Sequence, residues 1–254
     1  MPRPYLLAET NWKAVKATNF EVAVLPWAAT EAHNYHLPYA TDIIEGEAIA
    51  AEAGRIAWEA GEKVIILPCI PFGVNTGQTD ITLDMNLMPS TQLAILRDLI
   101  TVLNRQGIKK LVVFNSHGGN SFRTMLRELG VEFPDMLLVE TNWFKTFDRY
   151  DYVEEGGDHA CELETSLVLH LRPDLVLPLD QAGDGAERQP RIKAFKEGWV
   201  WRERPWSTIT ESTGTGDPRK STAEKGKRFF KDVTEKFGQL FIDLARTDKE
   251  DFYE

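Results

Sequence analysis

The sequence predicts an α/β domain with a mostly parallel β-sheet that is covered by helices on both faces. Short β-branched segments alternate along the chain with longer segments of helical periodicity, which is the pattern of βαβ units. The β-branched segments are apolar nearly throughout, as expected of strands that are buried on both faces of a parallel sheet. With 254 residues, the chain is long enough to bury a sizeable core.

Four apolar segments are predicted as strands, and each is followed by a polar loop. They are residues 22–26, 64–68, 111–115 and 136–140. The spacing of apolar residues predicts helices at 43–60, 90–105, 121–129, 159–171 and 221–245. Pro89, Ser90 and Thr91 are start signals for the second helix, and Pro173 ends the fourth. We expect residues 1–254 to form a single domain.

Residues 181–216 depart from this alternation. They are rich in glycine, proline and charge, and Trp199, Trp201 and Trp206 are interleaved with arginines. We expect an irregular segment with aromatic anchors that folds over the sheet edge or into a subunit contact. A substrate lid is the alternative interpretation.

The charge and cysteine content exclude several classes of function. The formal net charge of −10 disfavours nucleic acids and anionic membranes as partners. Cys69 and Cys161 are too few for a disulfide framework, and the chain starts with neither a basic nor an apolar leader segment. The sequence contains no run of about 18 apolar residues, which a membrane-spanning helix would need. These features predict a cytoplasmic enzyme.

Four of the five histidines fall in three short polar clusters, at residues 31–42, 115–120 and 159–166. The first two clusters directly follow predicted strands, and ligands of parallel sheets bind outside the carboxyl ends of the strands. Imidazoles and carboxylates in one crevice are the ligand set of a divalent cation that activates water. The clusters therefore predict a metal-dependent hydrolase.

The first cluster contains three candidate ligands. Glu31 and His33 are two residues apart, so an extended backbone points both side chains to the same side. Asp42 is a third candidate, although it also precedes a predicted helix with Glu45 three residues later, as in a helix cap. Capping and metal binding are compatible for a carboxylate. We expect His36 to support the ligands or to face the substrate.

The second cluster places His117 at the end of a predicted strand. Gly118 and Gly119 allow a close backbone approach, and Asn120 can cap the next helix. Backbone N–H groups in this turn are suited to stabilising an oxyanion. The alternative is a tight turn with an incidental histidine.

In the third cluster, His159, Glu162 and Ser166 share one face of the predicted helix. We expect this face to point toward the crevice, although Glu162 would also favour the helix dipole in a first turn. Glu164 is interpreted as a structural hydrogen-bond acceptor. His170 is isolated and is not expected to be functional.

Four ordered motifs resemble the creatininase (creatinine amidohydrolase) family. They are E-x-H-x-x-H-L-P with a later Asp at 31–42, N-x-H-G-G-N at 115–120, H-A-x-E-x-E-T-S at 159–166, and the S-T-G-T-G-D-P-R-K-S-T-A-E-K-G segment at 212–226. The resemblance implies a three-layer α/β/α sandwich, commonly a homohexamer. It also implies hydrolysis of a carbon–nitrogen amide bond, which is often cyclic, with one or two divalent ions: zinc first, manganese or iron as alternatives.

The resemblance also implies roles for individual residues. Glu31, His33, Asp42 and His117 match family metal ligands, with Asp42 in the bridging position. Because H-G-G-N lacks the glutamate of H-x-E-N, Glu162 of the third motif is the expected replacement ligand. His159 matches the family position that is proposed to carry protons during catalysis. The expected substrate-binding residues are His36, Gly118 and Trp143.

Some positions depart from the family pattern. Ala32, Asn34 and Tyr35 stand where the family usually has Gln, Gly and Pro, and Cys161 replaces a usual Gly. Creatinine-hydrolysing members have a tryptophan at the position of Glu155. These departures argue against creatinine itself. The alternatives are a formamide deformylase or peptidase of the same family, a phosphoesterase and a non-catalytic metal-binding protein.

Overall fold

The computed structural model describes residues 2–253 and contains a four-stranded sheet. The strands are β1 (Val22–Trp27), β2 (Val64–Ile66), β3 (Lys110–Asn115) and β4 (Leu137–Asn142), in the spatial order β2-β1-β3-β4. All three strand pairs are parallel. The predicted fold class is therefore confirmed, and each predicted strand is present with its ends shifted by at most two residues.

The helices include all five that the sequence predicts. In chain order they are α1 (Trp12–Lys16), α2 (Thr41–Glu59), α3 (Pro89–Arg105), α4 (Arg123–Glu132), α5 (Glu162–Leu171), α6 (Lys193–Lys196), α7 (Trp206–Ile209) and α8 (Ala223–Arg246). Short 3₁₀ turns lie at Trp143–Lys145, Arg149–Asp151, Pro173–Leu175, Leu179–Gln181 and Lys249–Asp251. Among the described residues, no helix is both long and apolar enough to cross a membrane.

Two hydrophobic cores lie on opposite faces of the sheet. Successive side chains of a strand point to opposite faces, so Val22 and Val24 pack in one core, and Ala23 and Leu25 pack in the other. The first core is completed by apolar residues of α2, α5 and α8, and the second by residues of α3 and α4. The molecule is thus a three-layer α/β/α sandwich.

The strand order creates a crevice at the carboxyl ends of β1 and β3. Strand β1 pairs with β2 on one side and with β3 on the other, and Trp27 is in register with Asn115 at the strand ends. The chain leaves β1 toward one side of the sheet and then crosses to the other. Such a topological switch point is where ligands bind in open α/β sheets.

Helix α5 begins three residues later than the sequence predicts. Ala160 has a φ of +48°, and Cys161 is the extended residue that caps the helix. His159 therefore lies in a loop, where its backbone pairs with Thr215. The expectation that His159 and Glu162 share a helical face is wrong, because the left-handed residue between them breaks the helical phase.

Residues 181–216 form an irregular segment with two short helices, α6 and α7. Trp199 and Trp201 are 73% and 82% exposed, whereas Trp206 is partly buried. The expected aromatic anchoring within the chain therefore applies to Trp206 alone among these three tryptophans.

Candidate metal centre

The loop that leaves β1 presents two buried ligands. Glu31 is 1% exposed and His33 is fully buried. Between His33 and the next turn, Asn34 has a φ of +54°, a left-handed conformation that asparagine and glycine adopt most readily. The Asn34 amide accepts a hydrogen bond from the Gly183 N–H at 2.8 Å and donates one to the Gly183 carbonyl at 3.0 Å. The loop is thereby tied to the segment that follows α5.

Asp42 adds a carboxylate from the first turn of α2. The helix begins at Thr41, Ala40 is its capping residue, and no side chain caps it. Neither carboxylate oxygen of Glu45 has a hydrogen-bond partner. The capping alternative for Asp42 and Glu45 is therefore not what the structure shows, and the Asp42 carboxylate is available to the crevice.

His117 joins Glu31 and Asp42 from the end of β3. Its Nδ1 atom lies 2.9 Å from Glu31 Oε1 and 3.0 Å from Asp42 Oδ2. The ligand atoms of these three residues all lie within 4.8 Å of one another. Asn120 holds the turn after His117: its side chain accepts the N–H of Val74 at 3.0 Å. It does not cap α4, whose capping residue is Phe122.

A second group of ligand atoms shares Asp42. It consists of His33, Asp42 and Glu164, again within 4.8 Å of one another. His33 Nε2 lies 3.1 Å from Asp42 Oδ1. Asp42 is thus common to two of the three groups of ligand atoms that lie this close together among the described residues, and the third group is Glu31, His33 and His159.

The three histidines of the site are each anchored by their outer ring nitrogen. His33 Nδ1 lies 3.1 Å from the Glu31 carbonyl, His117 Nε2 lies 3.0 Å from the Val74 carbonyl, and His159 Nε2 lies 2.8 Å from the Ala32 carbonyl. A carbonyl oxygen can only accept, so the ring nitrogen at each of these contacts carries a proton. In the neutral imidazoles the inner nitrogens then carry the lone pairs, as in histidines that bind a metal.

The buried polar atoms fit a cation better than they fit each other. His33 Nε2 and Asp42 Oδ2 have no hydrogen-bond partner although both are buried. Either a proton on the imidazole or a cation must satisfy such buried acceptors, because an unpaired buried polar group is costly. Bound divalent cations would satisfy both atoms, so the residues present fit a divalent-metal site.

Protons compensate the carboxylates in the metal-free protein. Burial lowers the pKa of His33, but the hydrogen bond and charge of Asp42 and the charge of Glu31 outweigh it and raise that pKa to about 9. Burial also lowers the pKa of His117, but the charge of Glu31 outweighs burial and raises that pKa well above its ordinary value. At Glu31, burial is outweighed by the charges of His117 and His159, which hold the pKa of the carboxyl below its ordinary value. The site is therefore built for positive charge.

The structure places Glu162 outside the ligand cluster, which corrects the ligand assignment. Its carboxylate binds Lys225 Nζ and accepts the backbone N–H groups of Glu154 at 3.0 Å and Glu155 at 2.7 Å. Because α5 begins only at Glu162, this side chain points toward the start of α8. Glu164 takes its place beside His33 and Asp42.

The sequence predicts Glu164 to be a structural hydrogen-bond acceptor, and this prediction is incomplete. One carboxylate oxygen does accept the N–H of Cys161, at 3.4 Å, but the group also lies with His33 and Asp42. Burial raises the pKa of Glu164 to about 7. Gly119 explains why a glutamate is needed here: a Cβ atom at Gly119 would lie 2.3 Å from the Val74 carbonyl oxygen, so no side chain fits there.

His159 lies at the edge of the cluster. Its Nδ1 atom is 3.8 Å from Glu31 Oε1, and its ring centroid is 4.1 Å from that of His33. Burial, followed by the charge of His33, lowers the pKa of His159. A neutral imidazole beside the ligands is suited to accepting and donating a proton.

The residues expected to bind substrate are distributed differently. His36 is fully buried with Nε2 2.8 Å from Thr165 Oγ1, and burial lowers its pKa to about 4. Trp143 is 1% exposed and donates to Ser116 Oγ at 2.8 Å, and that hydroxyl donates to the Asp42 carbonyl at 2.7 Å. Both therefore support the site from the interior. Gly118 is exposed in the turn after His117.

Gln78 is a further residue of the site that sequence reasoning missed. It is 3% exposed, and its side-chain amide donates to Glu31 Oε2. It lies in a loop that follows β2, more than 40 residues from Glu31, so no local pattern marks it.

Comparison with known proteins identifies the same family. The creatininase model, described as creatinine amidohydrolase, matches residues 8–241. A crystal structure of a putative creatinine amidohydrolase from Bacteroides fragilis NCTC 9343 is 40% identical, covers 100% of both chains and has a TM-score of 0.93. A solved mutant creatininase of the Zn-Zn type is 22% identical, covers 96% of this chain and 99% of its own, and has a TM-score of 0.72.

Two curated relatives have different activities. The mycofactocin precursor peptide peptidase of Mycobacterium ulcerans (strain Agy99) is 27% identical over 224 residues, which cover 84% of this chain and 81% of the relative. The creatinine amidohydrolase of Pseudomonas putida is also 27% identical, over 214 residues that cover 72% of this chain and 78% of the relative. The extent of the family match and the 40% identical structure show that this chain belongs to the creatininase family.

Proposed function

We propose that this protein is a metal-dependent amidohydrolase that cleaves a carbon–nitrogen amide bond of a small molecule. The observation that carries the proposal is the convergence of three anchored imidazoles on buried carboxylates at the switch point of the sheet. Buried acceptors without hydrogen-bond partners, such as His33 Nε2 and Asp42 Oδ2, would be costly in a protein that served only as a scaffold.

The ligand groups would hold two metal ions. Glu31, Asp42 and His117 would bind one, and His33, Asp42 and Glu164 would bind the other, with Asp42 shared. Imidazole and carboxylate donors suit zinc, and manganese or iron are alternatives. The Zn-Zn form of a solved creatininase supports zinc. A bound divalent cation supplies a Lewis acid for the amide carbonyl and lowers the pKa of water toward about 7.

His159 is the proposed proton carrier. Because its Nε2 is bound to the Ala32 carbonyl, the proton must enter and leave at Nδ1, which faces Glu31. The lowered pKa of His159 keeps Nδ1 free to accept a proton at neutral pH. His159 would then donate that proton to the leaving nitrogen. Backbone N–H groups of the exposed Gly118 turn would stabilise the oxyanion.

Creatinine is not the proposed substrate. Glu155 occupies the position at which creatinine-hydrolysing members have a tryptophan, and the chain is as similar to a peptide peptidase as to a creatinine amidohydrolase. We expect a cyclic or linear amide, and a formamide or a short peptide is the second candidate. The similarity to the mycofactocin precursor peptide peptidases supports a short peptide as that second candidate.

The proposed setting is a cytoplasmic homo-oligomer, a hexamer by resemblance to the family. Trp199 is 73% exposed in the single chain, and aromatic residues are enriched at subunit interfaces. Both Cys69 and Cys161 are free. Light scattering coupled to size-exclusion chromatography would give the number of chains in the particle.

Metal analysis followed by a substrate panel tests the function. The metal-loaded protein and the Asp42→Asn variant would be assayed with creatinine, N-formyl compounds, lactams, short peptides and a phosphate ester. We expect hydrolysis of at least one amide and none by the variant, which loses the shared carboxylate. Bound metal without hydrolysis of any amide would indicate a non-catalytic metal-binding protein, and turnover of the phosphate ester alone would indicate a phosphoesterase.

A further inference from the structure

Trp206 packs against the imidazole of His159. The centroids of the two rings are 4.7 Å apart and their planes are inclined by 62°, an edge-to-face contact. The His159 ring also lies 4.1 Å from the ring of His33. His159 therefore packs against both a proposed ligand and a tryptophan that comes from a distant part of the chain.

Trp206 belongs to a short strap, residues 203–207, that is fixed to the loop after β2. The Trp206 N–H donates to the Gly77 carbonyl at 3.1 Å, and Thr76 Oγ1 donates to Glu203 Oε2 at 2.9 Å. A Cβ atom at Gly77 would lie 2.1 Å from the Arg204 carbonyl oxygen, so the close approach requires a glycine. The same loop carries Gln78, which donates to Glu31.

Arg204 fixes the strap a second time. Its guanidinium makes a two-pronged ion pair with Asp158, with Nη1 3.0 Å from Oδ1 and Nη2 2.7 Å from Oδ2. The guanidinium carbon also lies 4.9 Å from the centre of the Trp206 ring. Asp158 directly precedes His159 and accepts a hydrogen bond from Thr215 Oγ1. Arg204 thus binds both the tryptophan and the backbone segment that carries the imidazole.

We propose that Trp206 is a positioning residue for the hydrolysis, which holds His159 Nδ1 toward the metal ligands. One hydrogen bond, from Nε2 to the Ala32 carbonyl, also orients this ring. His159 lies in the loop before α5, directly ahead of the left-handed residue Ala160, so no helical turn fixes its side chain, and the packing of Trp206 restricts its rotation. The inference rests on the proposed proton transfer by His159.

The test compares Trp206→Ala with Trp206→Phe and with Trp201→Ala in the metal-loaded protein. Trp201 is a matched control because it lies in the same segment but is 82% exposed. Misplacing a reacting group by about 1 Å can cost about 100-fold in rate, so we expect Trp206→Ala to lower kcat by at least about tenfold with little change in KM. Trp206→Phe should restore most of kcat, and Trp201→Ala should match the wild type. Metal content should be unchanged in all three variants.

A second readout needs no substrate. Diethyl pyrocarbonate modifies accessible imidazoles, and the extent at His159 can be followed by mass spectrometry of the peptide that contains it. We expect Trp206→Ala to react several-fold faster at His159 than the wild type, Trp206→Phe and Trp201→Ala. A change in KM alone, equal losses in Trp206→Ala and Trp201→Ala, or unchanged modification would each overturn the proposal. Because modification is measured without turnover, failure of the proposed hydrolysis would be recognised separately.

Discussion

The exchange of roles between Glu162 and Glu164 can be tested with two glutamine variants. Both positions lie in the first turn of α5, so the substitutions are matched in chemistry and in place. Glu164→Gln removes a carboxyl group, a proposed metal ligand, beside His33 and Asp42. Glu162→Gln instead breaks the contact with Lys225 Nζ. Glu164→Gln should therefore reduce metal binding, and Glu162→Gln should reduce stability.

The cost of Glu162→Gln can be worked from its contacts. Glutamine keeps an oxygen for the N–H groups of Glu154 and Glu155, but it loses the charge that faces Lys225. A hydrogen bond between charged groups contributes about 1.5–3 kcal/mol. Lys225 is 22% exposed and keeps Glu154 at 3.1 Å, so about 2 kcal/mol is expected. For a chain of this size that lowers Tm by roughly 4–8 °C.

Glu164→Gln should behave in the opposite way. Burial raises the pKa of Glu164 to about 7, so the metal-free protein already holds much of this group in its neutral form. Glutamine resembles that form, and the free energy of unfolding should change by less than about 1 kcal/mol. The variant should lose about one metal ion per chain, together with most of its activity.

The loss of stability is measured by thermal unfolding of the chelated proteins. The loss of metal is measured by elemental analysis of the metal-loaded proteins. The exposed Glu224, in the first turn of α8, provides a Glu→Gln control that should change neither quantity. Normal metal content in Glu164→Gln together with metal loss in Glu162→Gln would refute the assignment of ligands.

Three further predictions concern the loops and the protonation of the site. Gly119→Ala should lower activity by more than about tenfold, because its Cβ would lie 2.5 Å from His117 Nε2. Gly118→Ala should keep an activity near that of the wild type, because a Cβ atom there has open space. Equal activities of the two variants would contradict this prediction. The pKa of His33 in the metal-free protein is raised to about 9, so its stabilisation is complete below about pH 6.5 and is lost as the pH rises through about 9. The Tm of the chelated protein should fall across that range, and a flat or rising profile would argue against the protonated state. Asn34→Ala should lower the free energy of unfolding, measured with denaturant, by about 3 kcal/mol, because alanine is strained in the left-handed conformation and makes no side-chain hydrogen bonds. Asn34→Gly should lower it by less.

The layers of the fold could be predicted because they depend on local composition. A strand such as β3 is apolar at nearly every position only if both faces are covered, and helical spacing marks the segments that cover it. The positions of Glu31, His33, Asp42 and His117 in the crevice follow from the same pattern, since polar residues at the ends of parallel strands share one edge of the sheet.

The errors arise where backbone conformation or distant contacts decide the outcome. Helical periodicity cannot show that Ala160 adopts a positive φ, so it predicts the start of α5 three residues too early and favours Glu162 over Glu164 as a ligand. Gln78 and Trp206 reach the site only through tertiary packing. Asn34 did carry a local signal, because asparagine in a position usually held by glycine is typical of a left-handed residue.

The charge of the site links its folding to metal binding. Glu31 and Asp42 are almost fully buried with two histidines whose pKa values are raised, and Glu45 is buried beside them with no hydrogen-bond partner. Burial and then the charge of Glu164 raise the pKa of Glu45 well above its ordinary value, so the metal-free interior carries protons where the loaded site carries cations. Binding a metal must displace the protons of its ligands, and affinity therefore rises with pH. The same carboxylates that make the metal-free site depend on protons would thus couple the folding of this chain to the binding of divalent cations.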